Sequence, residues 1–134
     1  MIPPKPVVHM DKICRVYAHD HPNYMFIFGD NDARMGFGGL AAELRGLPNA
    51  FGIRVKKAPT MKPEAFYNDN DNHEGIIKIN QDLQHIRANW NLYDKIVFPK
   101  AGVGTGRALL KVKAPQTYER LVKICRDHGF EQPS

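Results

Sequence analysis

Two glycine-rich polar segments have the composition to hold an anion through main-chain N–H groups. The first glycine loop, residues 29–39, reads Gly-Asp-Asn-Asp-Ala-Arg-Met-Gly-Phe-Gly-Gly, and the second glycine loop, residues 100–107, reads Lys-Ala-Gly-Val-Gly-Thr-Gly-Arg. Glycine permits positive φ and lets backbone amides approach a ligand closely. Arg34 or Arg107 could neutralise a phosphate beside such amides. The pattern therefore indicates a cradle for phosphates.

The residues of this cradle follow from their positions in the two loops. Asp30 and Asn31 stand at a strand end, where they could hydrogen-bond a ribose or an adenine edge, or instead form an Asx turn. Tight loop packing is the alternative role of the glycines. The residues expected to bind the ligand are Gly29, Asn31, Arg34, Met35, Gly36, Gly38, Gly39, Lys57, Gly102, Val103, Gly104, Thr105, Gly106 and Arg107.

Neither loop carries a standard nucleotide fingerprint. A P-loop needs G-x-x-x-x-G-K-[ST], and the chain contains no Gly-Lys-Ser or Gly-Lys-Thr. A dinucleotide site needs G-x-G-x-x-G running directly into a helix, whereas residues 102–106 have a different spacing and lie well before the next long helix pattern. The sequence therefore argues against a P-loop kinase and a dehydrogenase.

Alternating strand and helix patterns must position these loops. Residues 1–10 predict an extended arm, and strands are predicted at 13–18, 24–28, 50–55 and 95–99. Helices are predicted at 38–45, at 73–89 and from Pro115 until Gly129 ends the last one. Residues 58–72 predict a long loop of a kind that often forms a lid. The alternation predicts one α/β domain over residues 1–134, with ligands at the carboxyl ends of the strands.

The composition of the chain indicates the cellular compartment in which the protein is expected. The 134 residues are 43% apolar and 25% charged, which is typical of a soluble globular protein. No apolar run approaches the roughly 20 residues that span a bilayer, and the first residues lack the apolar core of a signal peptide, so we expect a cytoplasmic protein. Cys14 and Cys125 are expected to be buried, reduced thiols, and the sequence predicts neither a metal site nor a cofactor.

The net charge of +5 favours an anionic partner and leaves two other functions open. A nucleic-acid-binding domain could place the basic stretches 54–62 and 100–113 on phosphates, although neither stretch interleaves aromatic residues for base stacking. A phage-type accessory protein would act through protein contacts, with the loops serving only structure. No membrane partner is expected, and the sequence does not indicate an oligomeric state.

The paired loops resemble those of a macro domain, the fold that binds ADP-ribose. Arg34-Met-Gly-Phe-Gly-Gly is similar to the R-M-G-x-G turn of the terminal ADP-ribose protein glycohydrolase branch, and Phe98-Pro-Lys-Ala-Gly-Val-Gly-Thr-Gly is similar to its late loop. The resemblance implies a three-layer α/β/α domain with a mixed sheet. It also implies that the loops bind ADP-ribose or a related NAD-derived nucleotide.

Most of the chain also resembles an uncharacterised family of bacteria and phages. The shared segments are Phe28-Gly-Asp-Asn31, Pro48-Asn-Ala-Phe-Gly-Ile53, Lys56-Lys-Ala-Pro59 and Gly102-Val-Gly-Thr-Gly106. The resemblance covers residues 24–125. It adds no activity to the expectation drawn from the macro domains.

The glycohydrolase branch implies a catalytic lysine and an acid. Lys56 occupies the lysine position, and neighbouring cations could lower its pKa into a nucleophilic range. Gly106 stands where the branch has its acid, which leaves the enzyme assignment open. Asp30 is the candidate substitute in the first loop, and Asp32, Asp69 and Asp71 are further candidates. His73 could act with the last two or cap a helix, and Phe37 and Phe66 could stack on an adenine or anchor their loops.

Overall fold

Four strands form one sheet in the computed structural model, which describes residues 5–134 apart from the side chain of Asp71. The strands are β1 (Val7–Met10), β2 (Tyr24–Asn31), β3 (Ala50–Lys56) and β4 (Lys95–Pro99). Their order across the sheet is β1-β4-β2-β3, and every pair is parallel. The expected α/β class is confirmed. The mixed sheet is wrong for the described residues, because all four described strands run in the same direction.

Five α-helices connect or follow the strands. They are α1 (Arg15–Asp20), α2 (Ala41–Leu44), α3 (Asn72–Asn89), α4 (Leu110–Lys113) and α5 (Pro115–Asp127). Short 3-10 turns lie at Pro63–Ala65, Asp69–Asp71 and Trp90–Leu92. The predicted helices at 73–89 and from Pro115 are therefore present, and Gly129 follows the last one with a φ of 85°.

Alternate residues of β2 bury into two apolar clusters. Met25 and Ile27 pack with side chains of α3 and α5, whereas Phe26 and Phe28 pack with Ala18, Ala41 and Leu44 of α1 and α2. Successive side chains of a strand point to opposite faces, so each cluster covers one face of the sheet. A continuous apolar strand is typical of a parallel sheet buried on both sides.

Two predicted elements differ from those observed. The strand expected at 13–18 is wrong, because residues Arg15–Asp20 form α1. Ile13 lies just before α1 and Ala18 lies on it, and both belong to the apolar cluster around Phe26. The helix expected at 38–45 contains only Ala41–Leu44, since Gly39 adopts a φ of 59°. In the predicted arm, residues 7–10 pair with β4, and residues 1–4 lie outside the described range.

Candidate functional site

The two glycine loops line one cleft of about 320 Å³. The cleft lies at the carboxyl edge of the sheet: Asp11 follows β1, Asn31 and Lys56 end β2 and β3, and Pro99 ends β4. Carboxyl ends of parallel strands meet at one edge, which is why loops about 70 positions apart converge here. The predicted residues that line the cleft are Gly29, Asp30, Asn31, Met35, Gly36, Gly38, Gly39, Lys56, Gly102, Val103, Gly104, Thr105, Gly106 and Arg107.

Both loops present main-chain N–H groups that have no acceptor within the described protein. These amides belong to residues 35–39 and to residues 104–108. The predicted donors Gly102 and Val103 differ, because their amides donate to Pro99 O at 2.8 Å and to Gln132 Oε1 at 2.9 Å. The donors available to an anion in the second loop are therefore shifted toward its carboxyl end.

The loops approach each other at the Arg107 side chain. A Cβ placed on Gly38 would lie 2.6 Å from Arg107 Nε, so the guanidinium packs directly on the first loop. Arg107 is exposed and forms no ion pair among the described residues. A cation without a carboxylate partner at the junction of the loops suits an anionic ligand.

Lys56 is buried in the cleft wall. Its Nζ donates to Thr60 O at 2.5 Å, lies 3.5 Å from Met61 Sδ and stands 4.8 Å from the centre of the Phe66 ring. Burial lowers the pKa of this amine, and the charge of Arg107 lowers it further. No ion pair of Lys56 is present among the described residues. A lysine in this setting deprotonates more readily than an exposed one.

Arg34 and Lys57 do not line the cleft. Arg34 has a φ of 54° and turns its guanidinium to Asp82 at 2.6 Å and to Gly52 O at 3.0 Å. The Lys57 Nζ lies 5.6 Å from the centre of the Tyr67 ring. Arg34, predicted to neutralise a phosphate, is instead paired with the buried carboxylate of Asp82 and lies outside the cleft lining.

Asp30 is buried and saturated by hydrogen bonds. Its side chain is 3% exposed and accepts hydrogen bonds from Arg45 Nη2 at 2.5 Å, from Arg34 Nη1 at 3.2 Å and from the Asn31 amide at 2.8 Å. Although Asp30 lines the cleft, this carboxylate is neutralised by two guanidinium groups. It is a poor candidate for an acid that must exchange protons with a ligand.

Asn31 forms the Asx turn that the sequence left open. Its Oδ1 accepts from the Ala33 amide at 3.0 Å, and its Nδ2 donates to Met35 O at 2.8 Å. Both ends of the side chain are therefore engaged in holding the first loop. The ribose-binding role is the weaker of the two original alternatives.

Asp11 is an acid in the cleft that sequence reasoning missed. It follows β1 directly, is exposed and lines the cleft together with both loops. The signal was the placement of an acid just after a short edge strand, which becomes informative only once that strand is known to run parallel to β4. Within the described residues, Asp11 and Asp30 are the carboxylates that line this cleft.

The remaining candidates lie away from the cleft. Asp32 accepts from Tyr67 Oη at 2.6 Å and from Lys78 Nζ at 2.6 Å. Asp69 accepts from the Thr117 amide at 3.1 Å and caps α5, and exposed His73 lies in the first turn of α3. The candidate acid Asp71 has a side chain outside the described set. Phe37 is exposed beside the cleft-lining glycines, whereas Phe66 is buried.

Metal-binding groups and membrane-spanning helices were both expected to be absent. Among the described residues, no group of three His, Cys, Asp or Glu side chains is placed to hold a metal ion. In the same part of the chain, every helix is too short or too polar to cross a bilayer.

No curated protein and no solved structure matches the sequence. Residues 8–124, which include both glycine loops and all of the sheet except Val7, match a family described as a family of unknown function, DUF7831. Since the match covers most of the sequence, the chain belongs to that family.

Proposed function

We propose that this protein binds ADP-ribose or a related NAD-derived nucleotide in the cleft between the two glycine loops. The observation that carries the proposal is the pair of unbonded amide runs, residues 35–39 and 104–108, in the two loops that line one cleft. Concave runs of N–H groups bind phosphate oxygens, and a diphosphate needs donors on both sides. Lys56 and Arg107 add positive charge without a neutralising carboxylate at close range.

The direction of the strands supports this proposal. In α/β sheets, ligands bind outside the carboxyl ends of the strands, which is where the cleft lies. We further propose that the domain is a three-layer α/β/α arrangement of the macro-domain kind. The apolar clusters on the two faces of the sheet are consistent with three layers, while the wholly parallel strands depart from the expected sheet.

Phe37 is the better candidate for stacking on the nucleobase. Its side chain is 71% exposed, next to two glycines that line the cleft. Phe66 is 5% exposed and lies between Lys56 and Lys113, with each Nζ within 4.9 Å of the ring centre. A buried ring between two ammonium groups serves packing and cation–π contacts. An exposed ring beside a polar loop offers a face to a base.

Hydrolysis of an ADP-ribosyl bond is a second step of the same proposal. The neutral amine of Lys56 would attack the anomeric carbon, the bond to the leaving group would break, and the leaving group would take up a proton. Water would then displace the lysine and release ADP-ribose. Asp11 is the acid we assign to this proton transfer, since Asp30 is held by two arginines and Gly106 carries no acid.

Calorimetric titration with ADP-ribose tests the binding step at Gly106. A Cβ there meets nothing within 4 Å, so this position accepts a side chain without disturbing the fold. Gly106→Glu should weaken micromolar binding by about tenfold or more because it adds a negative charge beside the free amides. Gly106→Gln controls for bulk and should bind more tightly than Gly106→Glu.

Two outcomes would count against binding of this ligand. Absence of heat at millimolar ADP-ribose would reject the proposal outright. Equal affinities of the Glu and Gln variants for ADP-ribose would show that the ligand does not bind beside the second loop. Titration with single-stranded DNA tests the nucleic-acid alternative, for which Arg54, paired with Asp82, is one of the basic residues.

A further inference from the structure

We propose that Arg45, held by the buried carboxylate of Asp30, is a positioning residue that sets the direction of two peptide groups in the first glycine loop for an anionic ligand. The inference rests on the proposed function for its ligand. It assigns Asp30 and Arg45 a task that does not require either side chain to touch that ligand.

Asp30 fixes the plane of the Arg45 guanidinium. Nη2 donates to Asp30 Oδ1 at 2.5 Å, and Nη1 donates to Asp30 Oδ2 at 3.3 Å. A two-point contact between a guanidinium and a carboxylate defines an orientation as well as a distance. The Arg45 side chain is 16% exposed and that of Asp30 is 3% exposed, so little solvent competes for the pair.

The remaining donors of Arg45 capture carbonyl groups of the first loop. Nε donates to Gly36 O at 2.6 Å, and Nη2 also donates to Met35 O at 3.2 Å. Asn31 Nδ2 donates to the same Met35 carbonyl at 2.8 Å. Two consecutive carbonyls are therefore turned toward one side of the loop.

The geometry of the peptide group then sets where the neighbouring amides point. In a trans peptide the C=O and the following N–H point in opposite directions. With the carbonyls of Met35 and Gly36 turned to Arg45, the amides of Gly36 and Phe37 point away from it. Neither amide has an acceptor in the described protein. Donors fixed before the ligand arrives cost little reorganisation on binding.

A lysine cannot reproduce this arrangement. Its ammonium is a point charge, whereas the five N–H groups of arginine have a fixed planar geometry. Arg45→Lys therefore preserves the charge beside Asp30 but loses the fork that holds both carbonyls. A direct electrostatic role for Arg45 would survive that substitution, and a positioning role would not.

The first measurement is ADP-ribose affinity by calorimetry at two salt concentrations. We expect Arg45→Lys to bind about tenfold more weakly, equivalent to 1.4 kcal/mol, and Arg45→Met to keep the salt dependence of the unsubstituted protein. Unchanged affinity in Arg45→Lys, or a flattened salt dependence in Arg45→Met, would overturn the proposal. Arg87→Lys is the control, because Arg87 lies outside the cleft lining with its guanidinium 4.2 Å from the centre of the Trp90 ring.

The second measurement needs no ligand. In Arg45→Lys, the NMR order parameters of the Gly36 and Phe37 amides should fall to below about 0.6, the range of flexible backbone, while the sheet stays rigid. Asp30→Asn, which retains the side-chain shape, should loosen the same two amides. Rigid amides in a folded Arg45→Lys protein would refute the positioning role even if ADP-ribose were not the ligand, so the two proposals fail separately.

Discussion

Gly104 and Gly106 lie two positions apart in the second glycine loop but differ in their surroundings. Gly104 has a φ of 82°, and a Cβ there would come within 3.3 Å of Leu110 side-chain atoms. Gly106 is exposed, with no neighbour within 4 Å of a Cβ. One glycine is required by the backbone conformation of the loop, and the other leaves room for a ligand.

This contrast predicts different stabilities for two alanine variants. Gly104→Ala should lower the free energy of unfolding by about 1–2 kcal/mol, because an L-residue is strained at positive φ. Gly106→Ala should change it by less than about 0.5 kcal/mol, as exposed substitutions usually do. Urea denaturation of both variants measures the difference. Equal urea midpoints for the two variants would contradict the positive φ of Gly104.

Lys56 predicts a pH dependence of ligand binding. Its pKa is lowered from 10.5 by burial and then by Arg107, so it loses its proton at a lower pH than an exposed lysine. An anionic ligand binds the protonated form better. Affinity should therefore decline with rising pH before pH 10.5 is reached, and calorimetry in a pH series measures this decline.

Two lysine variants identify the titrating group. Lys56→Met should bind more weakly and lose that decline, since no charge remains to be removed. Lys100→Met replaces an exposed lysine outside the cleft lining and should retain the full pH dependence. A decline that persists in Lys56→Met would assign the titration to another residue.

At the scale of elements, side chains close the free edge of β3. Arg34 Nη1 donates to Gly52 O, and Asp82 of α3 accepts from the Arg54 amide at 2.7 Å. Asp82 also pairs with both guanidinium groups, at 2.6 Å for Arg34 and 3.1 Å for Arg54. An edge strand with unpaired polar groups invites association with other chains, and these contacts remove part of that hazard.

Removal of Asp82 should therefore destabilise the protein strongly. The residue is 4% exposed, and Asp82→Ala would remove the carboxylate that pairs with both arginines and accepts from the Arg54 amide. Loss of one partner from a buried ion pair costs on the order of 3 kcal/mol. Glu74→Ala, on the same helix with a 58% exposed side chain, should cost less than about 1 kcal/mol. Similar urea midpoints for the two variants would refute the larger loss of stability expected for Asp82→Ala.

The sequence was a good guide where local pattern decides the element. The continuous apolar run of β2, the helical spacing of α3 and the proline at the start of α5 each depend on nearby residues. Residues 13–18 misled because their β-branched and aromatic side chains favour strands. Tertiary packing decided for the helix, since Ala18 of α1 is buried in the cluster around Phe26.

The sequence predicted the two loops that meet in the cleft but not the partners of Arg34 and Arg54. Glycine density identified both loops, because it reflects a local conformational need. The partners of Arg34 and Arg54 on Asp82 lie 48 and 28 positions away, and no spacing rule connects them. Asp11 was missed for the same reason, since its place in the cleft depends on the pairing of β1 with β4.

At the scale of the whole molecule, the cleft is assembled from every strand end of the sheet, and its second loop is held from behind by a distant segment. Gln132 Oε1 accepts from the Val103 amide at 2.9 Å, and Gln132 Nε2 donates to the Val103 carbonyl and, at 3.2 Å, to Tyr118 Oη. Gly102 has no room for a Cβ, which would lie 2.6 Å from Pro133. Phe130 stacks on Phe98 of β4, with ring centres 4.9 Å apart.

These contacts affect how the protein should be prepared for study. The family match ends at residue 124, eight positions before Gln132. A polypeptide trimmed to that boundary would leave both main-chain groups of Val103 without their partner, and an affinity tag fused to Ser134 would begin beside Lys111, whose Nζ donates to Ser134 O at 2.5 Å. A failed titration on a sample trimmed at residue 124 would report a damaged loop, so Gln132 should be kept in any polypeptide used for binding studies.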